Sequence, residues 1–158
     1  MQGKIKKFPL VTGEGAYYLG CLYAIARKFR NKFTVSIDDQ EPFTKDCLFC
    51  FCGNSRWYGG GFKVAPTALV NDGLLDLYII KYVSTKTFVS LVGDYKKGEH
   101  VDLEKDVIKD KFKDFVFYRK CVGVKIEGCK TICADGEIFE ESTVDIKVIP
   151  QAINLYLE

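Results

Sequence analysis

Histidine occurs once in the 158 residues, at position 100. With no second histidine, and no serine or cysteine to assign beside it, a hydrolase triad has no basis. His100 reads instead as a polar residue just past a helix end. No apolar run is long enough to cross a bilayer. The basic start, Met1-Gln2-Gly3-Lys4-Ile5-Lys6-Lys7, is followed by no apolar signal core. Together these absences predict a soluble, cytoplasmic protein. Neither sign of charge is in excess: the net charge is +2, with 28% charged residues. That balance argues against a nucleic-acid partner and against strong membrane attraction. Two short clusters, Lys4-Lys6-Lys7 and Lys96-Lys97, would add only a modest pull toward anionic lipid, which leaves room for peripheral contact. There is no internal repeat and no low-complexity linker.

What is present is a chain with a core. Apolar residues make up 47% and aromatics 14%, enough for one domain and too few residues for two large ones. The seven cysteines are an odd number at irregular spacings, which favours free thiols in a reducing compartment. Cys47 and Cys50 have metal-type spacing, and Cys129 and Cys133 form a second pair. A zinc site would need both pairs to converge. In a regular strand a separation of three puts side chains on opposite faces, so Cys47 and Cys50 are expected to point apart as small apolar residues.

Periodicity sets the order of elements. After a short extended lead-in, Leu19, Leu22, Tyr23, Ala26 and Phe29 predict a helix over 14–30, with Lys28, Arg30 and Lys32 at its cationic end. Phe33–Ile37 alternates as a half-buried strand does. Phe43–Cys52 and Leu74–Val83 are apolar on both faces, as central strands are. Ser84 is a candidate N-cap for a second helix ending near Gly98. Residues 99–113 show no clear period. Short strands begin with Asp114–Glu127, and turns at Glu127-Gly128 and Asp135-Gly136 divide those that follow. The expected class is mainly β: a β-sandwich over 31–158, preceded by a lead-in and helix over 1–30, with two accessory helices in all.

Three constellations carry candidate chemistry. Asn54-Ser55-Arg56-Trp57-Tyr58-Gly59-Gly60-Gly61-Phe62 leads into Val64-Ala65-Pro66. Its glycines permit close approach of a backbone or ligand, or simply a flexible hairpin. Arg56 and Trp57 receive no catalytic role. Leu69-Val70-Asn71-Asp72-Gly73-Leu74 sets one carboxylate beside free carbonyls, which suits a hard cation or an ordinary Asp-Gly turn. Ala134-Asp135-Gly136-Glu137 would fix a carboxylate at the start of a strand, as a general base or as a plain exposed hairpin residue.

In this order and spacing the pieces resemble the diacylglycerol kinase and sphingosine kinase type of lipid kinases. The resemblance runs from about Phe33 to the end. It is carried by Asn54 with Gly59-Gly60-Gly61-Phe62, Val64-Ala65-Pro66-Thr67-Ala68, Asp72-Gly73-Leu74-Leu75-Asp76, Gly98-Glu99-His100, Asp135-Gly136-Glu137 and Ile149-Pro150-Gln151-Ala152. The NAD kinases share the two-domain plan at a greater distance.

The resemblance implies the carboxy-terminal β-sandwich of a lipid kinase, one wall of a cleft between domains. It implies that Glu137 is the catalytic carboxylate. It implies a divalent-cation site at Leu69, Asp72 and Leu74, using two backbone carbonyls and the Asp72 carboxylate. ATP with its Mg²⁺ would be held by an amino-terminal domain bearing Gly-Gly-Asp-Gly-Thr, a motif missing here. The helix at 14–30 would join the two halves. The expected partners are a lipid alcohol, ATP and that domain, and the isolated chain is expected to be inactive. The other reading is a free-standing, non-catalytic β-sandwich module that binds a partner through exposed apolar surface.

Overall fold

The computed structural model describes residues 31–58 and 61–153. The helix expected over 14–30 lies outside the described residues. Strand β1 (Asn31–Ile37) buries Phe33, Val35 and Ile37 while Thr34 and Ser36 remain partly exposed. This is the period-two pattern of a strand with one covered face. It pairs antiparallel with β2 (Phe43–Gly53) and with β7 (Gly123–Glu127). β3 (Leu75–Lys81) and β6 (Val116–Cys121) extend the sheet on one side, and β10 (Thr143–Lys147) on the other. The order is β10-β7-β1-β2-β3-β6, antiparallel at every pairing. Two hairpins complete the β structure: β4 (Val101–Asp102) with β5 (Val107–Ile108), and β8 (Ile132–Ala134) with β9 (Glu137–Phe139). The class is mainly β and sandwich-like, as expected.

The sheet has a core on each side. On one face Phe33, Val35, Ile37, Leu77, Ile79, Val124 and Ile126 form a contiguous cluster. On the other, Tyr78 and Val116 pack with Ala65, Ala68, Val101, Ile108 and Phe112 from the connecting segments. β3 therefore lies between two cores, which is why Leu75-Asp76-Leu77-Tyr78-Ile79 is buried throughout. The second core is also lined by Leu91 and Tyr95 of helix α1 (Thr85–Lys97). Ser84 caps that helix by accepting from the Thr87 N–H at 3.1 Å, and Gly98 ends it in the left-handed region at φ 79°. Residues 99–113, aperiodic in sequence, hold the β4–β5 hairpin and a 3-10 turn at Asp110–Phe112.

One expectation is corrected. Cys47 and Cys50 do not point apart. The register between β2 and β3 shifts between Cys47 and Phe49, a bulge that inserts one residue, so Cys47, Cys50 and Cys52 all face the first core. Burial pushes the Cys47 thiol up to about 11 and the Cys50 thiol up to about 12, so both remain protonated at neutral pH. His100 follows the helix end, as its place in the sequence suggests, and is fully buried. Its ring stacks on Tyr95 at 4.3 Å and meets Tyr78 and Phe112 edge-on, with Nε2 at 3.0 Å from the Val64 carbonyl oxygen.

Candidate functional site

The long β2–β3 connection opens and closes at one place. Gly53 pairs with Asp76, so Asn54 and Leu74 flank the same end of the ladder. Oriented to satisfy its neighbours, the Asn54 amide donates from Nδ2 to the carbonyl oxygens of Leu69 and Leu74, each at 3.1 Å. Two carbonyls five residues apart thus converge on one point. Between them, Asp72 Oδ1 accepts the Leu74 N–H at 2.9 Å, an Asx turn, and Gly73 supplies φ 72°. Arg56 Nε donates to the Ala68 carbonyl at 3.1 Å and ties the start of the connection to its middle. An open depression of about 350 Å³ lies alongside, lined by Arg56, Trp57, Leu69, Val70 and Asn71 among others.

A charged network backs this loop. The Lys120 ammonium stands 3.5 Å from Asp72 Oδ2 and 3.5 Å from Asp106 Oδ2, and donates to the Thr67 carbonyl at 3.3 Å. The Tyr118 hydroxyl is 2.9 Å from Oδ1 of both Asp76 and Asp106. Asp76 is fully buried, and its Oδ2 has no hydrogen-bond partner among the described residues. Burial pushes the Asp76 carboxyl above the usual carboxylate range, and this outweighs the hydrogen bond from Tyr118 and the charge of Lys120. Asp106 is also raised by burial, but hydrogen bonds from Thr67 and Tyr118 and the Lys120 charge hold it below that range overall.

The oxygen atoms of this loop are of the kind a hard divalent cation takes. Such ions take oxygen ligands, and here two backbone carbonyls and one carboxylate belong to a single short loop. Among the described residues there is no group of three or more His, Cys, Asp or Glu side chains placed to hold a metal ion, so any such site relies on the backbone.

Glu137 stands elsewhere. Ala134 pairs with Glu137 across the two-residue turn Asp135-Gly136, where both residues have positive φ, 47° and 95°. This is the mirror-image hairpin turn that Asp-Gly favours. Glu137 is exposed, and its carboxylate makes no ion pair or hydrogen bond with another described residue. The Tyr58 hydroxyl is 3.9 Å from the Cys133 sulfur, which links the hairpin to the loop that begins at Asn54. Leu69, Asp72 and Leu74 are therefore gathered into one loop, while Glu137 occupies a separate hairpin joined to that loop through Tyr58.

Asn54, Asp106, Tyr118 and Lys120 take part in this region without having been assigned a site role from sequence. A faint signal existed in Asp76, a lone carboxylate inside the apolar strand Leu75–Lys81, which needs polar partners when buried.

Comparison with known proteins agrees with the architecture. Residues 2–157 match the family described as the YegS C-terminal NAD kinase beta sandwich-like domain. The diacylglycerol kinase of Mycobacterium tuberculosis (strain H37Rv) is 28% identical over 143 residues, 90% of this chain and 43% of that protein. The "Probable lipid kinase YegS-like" of Alcanivorax borkumensis is 31% identical over 115 residues, 71% of this chain and 35% of that protein. A solved structure, "A putative diacylglycerol kinase from Bacillus anthracis str. Sterne", superimposes with a TM-score of 0.58 at 19% identity, over 85% of this chain and 42% of that one. The chain spans less than half the length of these relatives. No described helix is long and apolar enough to cross a membrane. With almost its whole length matched, this chain belongs to the family of YegS C-terminal NAD kinase beta sandwich-like domains.

Proposed function

We propose that this domain is the carboxy-terminal part of an ATP-dependent lipid kinase that phosphorylates a lipid hydroxyl, diacylglycerol or a related alcohol. Its share of the chemistry is a carboxylate and one wall of a cleft. The observation that carries this reading is the β8–β9 hairpin. A two-residue turn holds Glu137 at the head of a strand, in solvent, with no ion pair to a cation among the described residues. A carboxylate kept free in this way is available to a substrate proton.

In this reading Glu137 accepts the proton of the lipid hydroxyl while the hydroxyl oxygen forms its bond to the γ-phosphorus and ADP departs. Phosphoryl transfer needs alignment and charge neutralisation more than covalent help, so an oriented base is a fitting contribution. ATP with its Mg²⁺ supplies the phosphoryl group from the amino-terminal domain, which is outside this chain. The Leu69 and Leu74 carbonyls and the Asp72 carboxylate would hold a second divalent cation. That ion would be structural or regulatory, bracing the β2–β3 connection. A cytoplasmic protein in peripheral contact with its lipid surface suits this assignment.

The test is Glu137→Gln in the full-length kinase, assayed with ATP, Mg²⁺ and diacylglycerol. Turnover should fall by about 10²–10⁴-fold with the fold intact. Turnover near that of the unmodified enzyme would remove Glu137 from the mechanism. The 158-residue chain alone should show no turnover in the same assay.

A further inference from the structure

The end of the Asn54 side chain lies 3.1 Å from the Leu69 carbonyl oxygen and 3.1 Å from that of Leu74. In an octahedral shell with metal–oxygen distances near 2.0–2.1 Å, neighbouring oxygens stand about 3 Å apart. The amide end is therefore spaced from each carbonyl as a neighbouring ligand atom of such a shell would be. An amide has a nitrogen donor at one tip and an oxygen acceptor at the other, and a half-turn exchanges them. Without an ion, the nitrogen must face the two carbonyls, because an oxygen there would meet only acceptors. With an ion between the carbonyls and Asp72, the oxygen becomes the favourable tip there, at the cost of turning the NH₂ toward the donors that Oδ1 meets in the ion-free orientation.

The geometry points to Asn54 as a cation-responsive latch: its NH₂ bridges the Leu69 and Leu74 carbonyls when no ion is bound, and its Oδ1 becomes a further ligand when one is. This rests on the reading of Leu69, Asp72 and Leu74 as a hard-cation site. Lys120 completes the ion-free state by standing 3.5 Å from Asp72 Oδ2. The amide satisfies the carbonyls and the ammonium faces the carboxylate, so these groups have partners when no ion is bound. Aspartate in place of Asn54 could serve only the bound state, since its oxygens would face two carbonyls with nothing to donate.

The test compares the unmodified chain with Asn54→Asp, Asn54→Leu and Asp72→Asn. Melting is followed in EDTA and in millimolar MgCl₂, and MgCl₂ is titrated calorimetrically. Asn54→Asp should melt below the unmodified chain in EDTA, gain more from MgCl₂, and bind Mg²⁺ at least about fivefold more tightly, because ligand charge sets affinity. Asn54→Leu should bind at least about tenfold more weakly. If that variant is too unstable to purify, Asn54→Asp decides alone. If the unmodified chain binds Mg²⁺ through Asp72 but Asn54→Asp matches it in affinity and in melting gain, the latch is refuted and the cation site survives. If the unmodified chain takes up no Mg²⁺, both the latch and the cation site are refuted.

Discussion

Lys120 places its ammonium 3.5 Å from the Asp72 carboxylate, across the gap between strand β6 and the β2–β3 connection. The same ammonium is 3.5 Å from Asp106, and both partners lie in loops. The Lys120 side chain is only 22% exposed. Burial alone would lower its pKa, but the surrounding carboxylates of Asp106, Asp76 and Asp72 raise it above the ordinary lysine value. Lys120 is thus a permanent cation beside the position proposed for an exchangeable one.

Lys120→Met should therefore strengthen divalent-ion binding at Asp72. Removing one positive charge from the field of a doubly charged ion is worth roughly 1 kcal/mol after solvent screening, or about fivefold in affinity. Calorimetric titration of the variant with MgCl₂ measures this. An unchanged or weaker affinity would mean that Lys120 and the ion do not share a field.

Tyr118→Phe should destabilise the fold by about 1–3 kcal/mol, the usual cost of stranding a buried polar group. Asp76 is fully buried, its Oδ1 is 2.9 Å from the Tyr118 hydroxyl, and its Oδ2 already lacks a hydrogen-bond partner among the described residues. Urea unfolding supplies the number. In an Asp76→Leu background the same change should cost much less, because the group left unsatisfied is gone. Equal losses in both backgrounds would place the effect in the contact of the Tyr118 hydroxyl with Asp106, at 2.9 Å, rather than in the Asp76 carboxyl.

These two cases mark where sequence reading stops. Strands β2 and β3 were legible as central because both faces of each are apolar, and the sheet order has them adjacent near its middle. The β8–β9 hairpin was legible because Asp-Gly dictates the backbone of a two-residue turn. The common face of Cys47 and Cys50 was not, since a one-residue bulge leaves no mark on composition and reverses every count made across it. Nor was the meeting of Asp72, Asp106, Tyr118 and Lys120, which come from separate segments with no shared period. Asn54 belongs to the resemblance without a role attached, because the Leu69 and Leu74 carbonyls it faces are remote from it in sequence.

Gly128→Ala should be more damaging than Gly136→Ala, although both glycines have positive φ, 88° and 95°. A Cβ at Gly128 would lie 2.6 Å from the Lys32 carbonyl oxygen, a backbone atom fixed in β1. A Cβ at Gly136 meets nothing within 4 Å. The second change should cost about 1 kcal/mol from backbone strain alone. The first should add a steric clash and reach about 3 kcal/mol. Urea midpoints of the two variants give the comparison, and equal midpoints would show that β1 yields at Lys32 at no cost.

His100 should make the fold weaken as pH falls from neutral. Burial among Tyr95, Tyr78 and Phe112 lowers its pKa to about 4, although the contact with the Val64 carbonyl favours the charged form. In the unfolded chain the imidazole titrates near its ordinary value of about 6.5. Between those values the unfolded state binds a proton that the folded state refuses. The stability contributed by the neutral ring is therefore complete above about pH 6.5 and is lost as pH falls toward about 4, at up to about 1.4 kcal/mol per pH unit. His100→Gln cannot titrate and retains a donor that could serve Val64. Its disadvantage relative to the unmodified chain should shrink by about 2 kcal/mol between pH 7 and pH 5 in urea unfolding, since other groups contribute to both proteins and cancel. Parallel pH profiles would mean that the ring reaches solvent and takes up its proton before the fold opens.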